Sequence, residues 1–129
     1  MTLNSITPNA HYDMAHGKPQ AIEVDNDGSF LYRLNIEPEF GVDEETGEQV
    51  QIGWMCYETR HWGNHNKATI ERGVIRSLVD DCAEFDLVNS YNKHVLGIVK
   101  DEKFVQDYKD YLQFTADLDV QIAKDLSNI

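Results

Sequence analysis

Residues 21–36 read Ala-Ile-Glu-Val-Asp-Asn-Asp-Gly-Ser-Phe-Leu-Tyr-Arg-Leu-Asn-Ile, and this stretch predicts a β-hairpin. Two β-prone runs surround residues 25–28, where Asn, Asp and Gly favour a tight reversal of the chain. Because side chains alternate between the two faces of a strand, one face of the second strand is expected to be apolar. That face carries Phe30, Tyr32, Leu34 and Ile36.

The chain after this hairpin predicts a third strand. Pro38 is expected to end the second strand because it has no backbone N–H for a ladder, and residues 39–48 read as an acidic loop. Residues 49–61 alternate again, with the even positions from Val50 to Cys56 on one face. The sequence therefore predicts a three-stranded antiparallel meander over about residues 20–61.

Residues 1–19 differ from the rest of the chain because they are polar and show no periodicity. Pro8, Gly17 and Pro19 interrupt them further, so we expect a flexible amino-terminal arm without a strong element. Residues 20–129 then form a single domain, for which this length of chain is sufficient.

The second half of the chain predicts three helices, over about residues 66–82, 84–91 and 101–126. Asn66 and Asp101 are the expected caps, because their side chains can accept from unpaired N–H groups in the first turn. The fold class is therefore α+β, with the meander packed by three carboxyl-terminal helices.

The last helix carries the clearest periodicity in the sequence. Apolar residues recur at alternating steps of four and three, and the stripe is wider than a two-stranded coiled-coil seam. Packing within the chain is therefore favoured, with an interface between helices of different molecules as the alternative. The stripe consists of Phe104, Tyr108, Tyr111, Thr115, Leu118 and Ile122.

Charge limits the partners that the protein can have. There are 23 Asp and Glu against 11 Lys and Arg, which gives a net charge of −12. This field repels nucleic-acid backbones and anionic membranes, so we expect neither as a direct partner. The absence of a secretory signal pattern, an apolar span and a cysteine-rich framework predicts a cytoplasmic protein.

Chemical motifs are weak in this sequence. No Ser lies in a nucleophile elbow and no glycine-rich phosphate loop is present, so we expect no catalytic residue and no cofactor. Cys56, His61 and His65 are residue types that bind zinc, but Cys56 and His61 should face opposite sides of one strand. We therefore assign no metal site, and a metal-assisted hydrolase using these residues remains only a third hypothesis.

Aromatic and aliphatic side chains are the better candidates for function, because such residues dominate protein–protein interfaces. Trp62 lies beside the glycine-containing turn at residues 63–65, where exposure is expected. The final helix supplies the other candidates for a protein contact or for self-association into a homo-oligomer. The complete set is Trp62, Tyr108, Tyr111, Leu118 and Ile122.

Three segments carry a resemblance to a known group of proteins. They are residues 53–63 with the following helix that contains Ile70, the run Leu-Val-Asn-Ser-Tyr-Asn at 87–92, and residues 96–98. These segments resemble parts of small uncharacterised proteins encoded in phage and prophage regions of gut bacteria. The resemblance implies a genomic setting, with the host cytoplasm as the compartment if the protein is phage-encoded, and it transfers no catalytic residue.

The leading hypothesis is a non-enzymatic protein-interaction or assembly accessory module. An acidic decoy that covers the basic surface of a nucleic-acid-binding protein is the alternative. Its charge would come from Asp25, Asp27, Glu37, Glu39, Asp43, Glu44, Glu45 and Glu48.

Overall fold

The computed structural model describes residues 1–128 and divides them between a sheet unit and a helical unit. The sheet unit is Ile6–Asn64, and the helical unit is formed by Met1–Ser5 and the chain from His65 onward. The α+β class, the antiparallel sheet and the three helices agree with the sequence prediction.

The sheet has four antiparallel strands in the order β1-β4-β3-β2. Strands β3 and β4 are long and form the centre, while β1 and β2 are short edge strands. Their bounds are β1 Ala10–Asp13, β2 Ile22–Val24, β3 Ser29–Val42 and β4 Gln49–Trp62.

The predicted number of strands was wrong, because the sheet has four strands and not three. The additional strand, β1, comes from the amino-terminal arm and pairs with β4 between Gly53 and Cys56. A Cβ atom on Gly53 would lie 2.0 Å from the carbonyl oxygen of Tyr12, so only glycine allows this approach. Polar composition hid the strand, since a four-residue edge strand needs little apolar surface.

The second strand is also longer than predicted. Pro38 does not end β3 but lies opposite Trp54, and pairing continues to Val42. The register shifts between Leu34 and Glu37 and again between Glu39 and Phe40. These bulges accommodate Pro38 within the strand. Strand β2 pairs only with the start of β3, so the missing backbone N–H of Pro38 removes no hydrogen bond to β2. The predicted acidic loop is thereby shortened to residues 43–48.

One sheet face is buried as the alternation predicted from Phe30 to Leu34, whereas Ile36 lies in the bulge that follows and is only half-buried. Phe30, Tyr32 and Leu34 are fully buried, and β4 places Tyr57, Thr59 and His61 directly opposite them. Phe30 stacks on the His61 ring with centroids 5.2 Å apart.

The helices are α1 Lys67–Leu78, α2 Asp81–Val95 and α3 Glu102–Ser127. The predicted caps are confirmed: the Asn66 side chain accepts from the backbone N–H of Thr69, and Asp101 accepts from that of Lys103. A third cap was missed, since Asp80 accepts from the Ala83 N–H at 2.7 Å. This cap separates two helices, so α1 ends earlier than the predicted residue 82 and α2 begins earlier than the predicted residue 84.

Charged and apolar contacts join the helices. Lys67 on α1 lies 3.1 Å from the Asp119 carboxylate on α3, and Arg76 binds both Asp81 and Glu84 of α2. The buried residues of α3 are Phe114, Leu118 and Ile122. Within the described part of the chain, no helix has the length and apolar character needed to cross a membrane.

Candidate functional site: an apolar groove with an acidic rim

Two side-chain contacts join helices α2 and α3 beside a cavity, in addition to the pair of His94 with Glu102 where the helices are connected. The Tyr91 ring of α2 stacks on the Tyr108 ring of α3 with centroids 4.8 Å apart and planes inclined by 29°. Further along, the Tyr111 hydroxyl of α3 donates a hydrogen bond to the Glu84 carboxylate of α2. These two contacts hold the helices in one arrangement.

A cavity of about 490 Å³ opens between these two helices, and we call it the α2–α3 groove. This volume lies within the usual range for ligand sites in proteins, roughly 300–1,000 Å³. Most of its lining is apolar or aromatic. The apolar lining comes chiefly from Val79, Leu87, Phe104, Tyr111 and Phe114.

The spacing of the lining residues explains why the groove is continuous. On α2, residues 83, 87 and 90 are separated by four and three positions, and on α3 so are residues 104, 107, 111 and 114. Residues three or four apart lie on one side of a helix, so each helix presents a single stripe to the groove.

Three carboxylates stand among these apolar residues, and no Lys or Arg belongs to the lining. Asp86 and Asp110 are exposed, and Asp107 is half-buried. Asp110 accepts a hydrogen bond from the Gln106 amide at 2.7 Å, which leaves a second oxygen for a ligand. The groove thus combines an apolar interior with a negative rim.

Tyr111 remains a neutral wall of this groove over the physiological pH range. Burial raises the pKa of Tyr111, and the hydrogen bond to Glu84 raises it further, to about 12. Glu84 is shifted in the opposite sense, because hydrogen bonds from Arg76 and then from Tyr111 lower its pKa. Glu84 is therefore charged and already bound within the protein, whereas the three aspartates face the groove.

The structure distributes the five predicted contact residues over several environments. Trp62 at the end of β4 is 61% exposed. Tyr108 and Tyr111 lie at the contact between α2 and α3, and Tyr111 also lines the groove. Leu118 and Ile122 are fully buried, so neither is available to a partner in this conformation.

Sequence reasoning missed most of the groove for identifiable reasons. Phe85 is a large aromatic residue of α2, but it is 66% exposed, because the inward stripe of α2 follows residues 83, 87 and 90. On α3 the predicted stripe used Thr115, whereas the buried neighbour is Phe114. The signal available in the sequence was Asp107, a carboxylate that lies within the apolar stripe between Phe104 and Tyr111.

The residues considered for zinc are not brought together on the sheet. Cys56 and His61 are five positions apart on β4 and therefore face opposite sides. His61 is buried and lies 2.6 Å from the Thr59 hydroxyl, while burial raises the pKa of the Cys56 thiol to about 11. Between residues 1 and 128, no three His, Cys, Asp or Glu side chains are grouped closely enough to hold a metal ion.

Comparisons of the chain with known protein families, with curated proteins and with solved structures found no match. Function must therefore be inferred from the geometry of the groove.

Proposed function

We propose that this protein is a non-enzymatic interaction module whose α2–α3 groove binds a basic, apolar segment of another polypeptide. The observation that carries the proposal is the lining itself, which combines six large apolar or aromatic side chains, Met1 among them, with three carboxylates and lacks a Lys or Arg. Interface hot spots of this kind accept aliphatic or aromatic anchors in a pocket.

The charge of the rim selects the ligand. Asp86, Asp107 and Asp110 would each gain by pairing with Lys or Arg, and they would repel an acidic segment. The net charge of −12 acts in the same direction at longer range, because it speeds the approach of a basic partner. A helix with aliphatic residues on one face and lysines beside them satisfies both features of the groove.

An assembly role agrees with this chemistry. In this proposal the protein is an accessory, of phage origin, that brings polypeptides together. A binding groove between two helices needs no reactive group, and this proposal assigns none.

Titration with two synthetic helical peptides tests the proposal. One peptide has a leucine face and a lysine face, and the second has each lysine replaced by glutamate. We expect the lysine peptide to shift the amide resonances of Leu87, Asp107 and Phe114, with weaker binding as salt is added. Equal binding of both peptides, shifts confined to other residues, or no binding of either peptide would overturn the proposal.

The acidic decoy is a second candidate, and the tip of the β3–β4 hairpin favours it. Asp43, Glu44, Glu45 and Glu48 lie within one turn, next to exposed Phe40 and Val42. Asp25, in contrast, is already paired with Arg60 at 2.7 Å. Replacing Glu44 and Glu45 by Gln should weaken binding to a basic nucleic-acid-binding protein without changing peptide binding at the groove. Unchanged binding would exclude the hairpin tip as the charge source.

A further inference from the structure

The connection between α2 and α3 combines exposed apolar residues with positive charge in an otherwise acidic protein. Residues 95–99 contain four large aliphatic side chains that are 46–73% exposed: Val95, Leu96, Ile98 and Val99. Lys93 and Lys100 flank them, and no acid occurs between these two lysines. We call residues 93–100 the helical tip.

The helical tip is held in a defined shape by its own backbone. The Leu96 N–H donates to the Asn92 carbonyl at 2.9 Å, and the Ile98 N–H donates to the Lys93 carbonyl at 2.9 Å. Gly97 has φ of 75°, the left-handed conformation that ends a helix in this manner. Because the tip is already ordered, docking it would cost little conformational entropy.

Two surfaces of the helical unit therefore have complementary chemistry. The α2–α3 groove is apolar with three carboxylates, and the helical tip is apolar with two lysines. The tip connects the same two helices that form the groove, so it cannot enter the groove of its own chain. It can reach the groove of another molecule.

Resting on the proposed function of the groove, we propose that its ligand is the helical tip of a second copy of this chain. Leu96 and Ile98 enter the groove, and Lys93 and Lys100 pair with the rim aspartates. The contact joins two different surfaces, so each molecule keeps one free groove and one free tip. Repetition of the contact gives a ring or a chain of subunits.

Two variants test the contact separately. The tip variant carries Leu96→Glu and Ile98→Glu. The groove variant carries Asp86→Lys and Asp110→Lys. All four substitutions change exposed side chains. Because all four positions are exposed, we expect both variants to fold. As a control, Asp117→Lys with Glu37→Lys changes the net charge equally at exposed positions outside the groove and outside the β3–β4 hairpin tip.

Sedimentation measurements over a range of concentrations give the outcome. We expect the wild type and the control to increase in mass with concentration, and each of the two variants alone to remain a monomer. An equimolar mixture of the two variants should form a dimer of about twice the monomer mass and stop there, because one intact groove meets one intact tip. Both variants stay net negative, so overall charge does not explain such pairing.

A mixture that remains monomeric, a wild type that is monomeric at every concentration, or a tip variant that associates like the wild type would overturn this inference. If the lysine peptide still binds the groove in that case, the proposed function stands and only the identity of the partner is wrong. If the peptide also fails to bind, both proposals fall.

Discussion

The Tyr111 hydroxyl of α3 donates its hydrogen bond to the Glu84 carboxylate of α2, and Arg76 of α1 binds the same carboxylate at 2.8 Å. One acid on α2 thus joins all three helices at the end of the groove where Tyr111 forms the wall. The shape of the groove depends on this contact, because Tyr111 has no other hydroxyl partner among the hydrogen bonds described for residues 1–128.

Tyr111 should titrate late and should contribute stability that is lost in alkali. Its pKa in the folded state is raised to about 12, from 10.0 in the unfolded chain. The neutral phenol is therefore favoured by folding, so its contribution is complete below about pH 10 and disappears as the pH rises towards 12. Ultraviolet absorbance of tyrosinate should contain a late component that Tyr111→Phe removes and Tyr108→Phe retains. Loss of that component in Tyr108→Phe would contradict the assignment.

Tyr111→Phe should also lower the free energy of unfolding by about 1.5 kcal/mol, the usual value for a hydrogen bond to a charged group. Tyr108→Phe is the matched control, because stacking on Tyr91 needs only the ring. Urea unfolding measures both variants. Equal losses in the two variants would show that the Glu84 contact does not hold the helices together.

Gly53→Ala should detach β1 from the sheet. The new methyl group would lie 2.0 Å from the Tyr12 carbonyl oxygen, so the backbone of β1 must move. Gly41→Ala is the control, because its nearest neighbour is the movable side chain of Ile52 at 2.9 Å. We expect Gly53→Ala to cost about 2 kcal/mol more than the control, with loss of amide hydrogen-exchange protection confined to β1. Retained protection at residues 10–13 would contradict this account of the edge strand.

Arg33 should be the most sensitive charged residue of the sheet unit. Its buried guanidinium donates to Glu58 at 2.9 Å, to Glu23 at 2.6 Å, to the Tyr12 hydroxyl and to the Gln20 carbonyl. Arg33→Met removes the donor shared by these four groups and leaves Glu58 with the hydrogen bond from the Tyr12 hydroxyl, so it should lower the free energy of unfolding by about 3 kcal/mol.

Arg60→Met provides the same substitution at an exposed ion pair with Asp25. Its cost should be below about 1 kcal/mol, because solvent screens exposed pairs. Urea denaturation compares the two variants. Similar losses of unfolding free energy would mean that the buried contacts of Arg33 contribute no more to stability than an exposed ion pair.

His61 should make the protein less stable in mild acid. Burial lowers the pKa of His61 below its usual 6.5, so the folded state favours the neutral ring. The contribution is complete above about pH 6.5 and is lost as the pH falls through the lower folded value. His61→Phe keeps a ring against Phe30 and should flatten the change in stability across this range. An unchanged pH dependence in the variant would place the titrating group elsewhere.

The sequence was sufficient to predict the features that depend on local pattern. Alternation fixed the buried face from Phe30 to Leu34, and the caps Asn66 and Asp101 marked where two helices begin. These signals are strong because each comes from residues close together in the chain, where backbone geometry alone determines which side chains share a face.

The missed features depend on residues that are distant in sequence. Strand β1 pairs with residues 40 to 46 positions away in the chain, and its one signal was a glycine inside β4. Predicting the groove would have required the position of α2 along α3. The contact between Tyr91 and Tyr108 sets this position, and no local sequence pattern contains it. The predicted apolar stripe of α3 contained Thr115 and not Phe114, and this one-residue error left out a buried aromatic residue that lines the groove.

The affinity of the lysine peptide for a variant with Asp86, Asp107 and Asp110 all changed to Asn tests the central claim most directly. At low salt we expect affinity to fall about 10- to 100-fold relative to the wild type, since three exposed or half-buried charge pairs are lost. A variant with Asp117, Glu44 and Glu45 changed to Asn, Gln and Gln should bind like the wild type. Equal affinity of all three proteins would contradict an acidic groove as the binding surface.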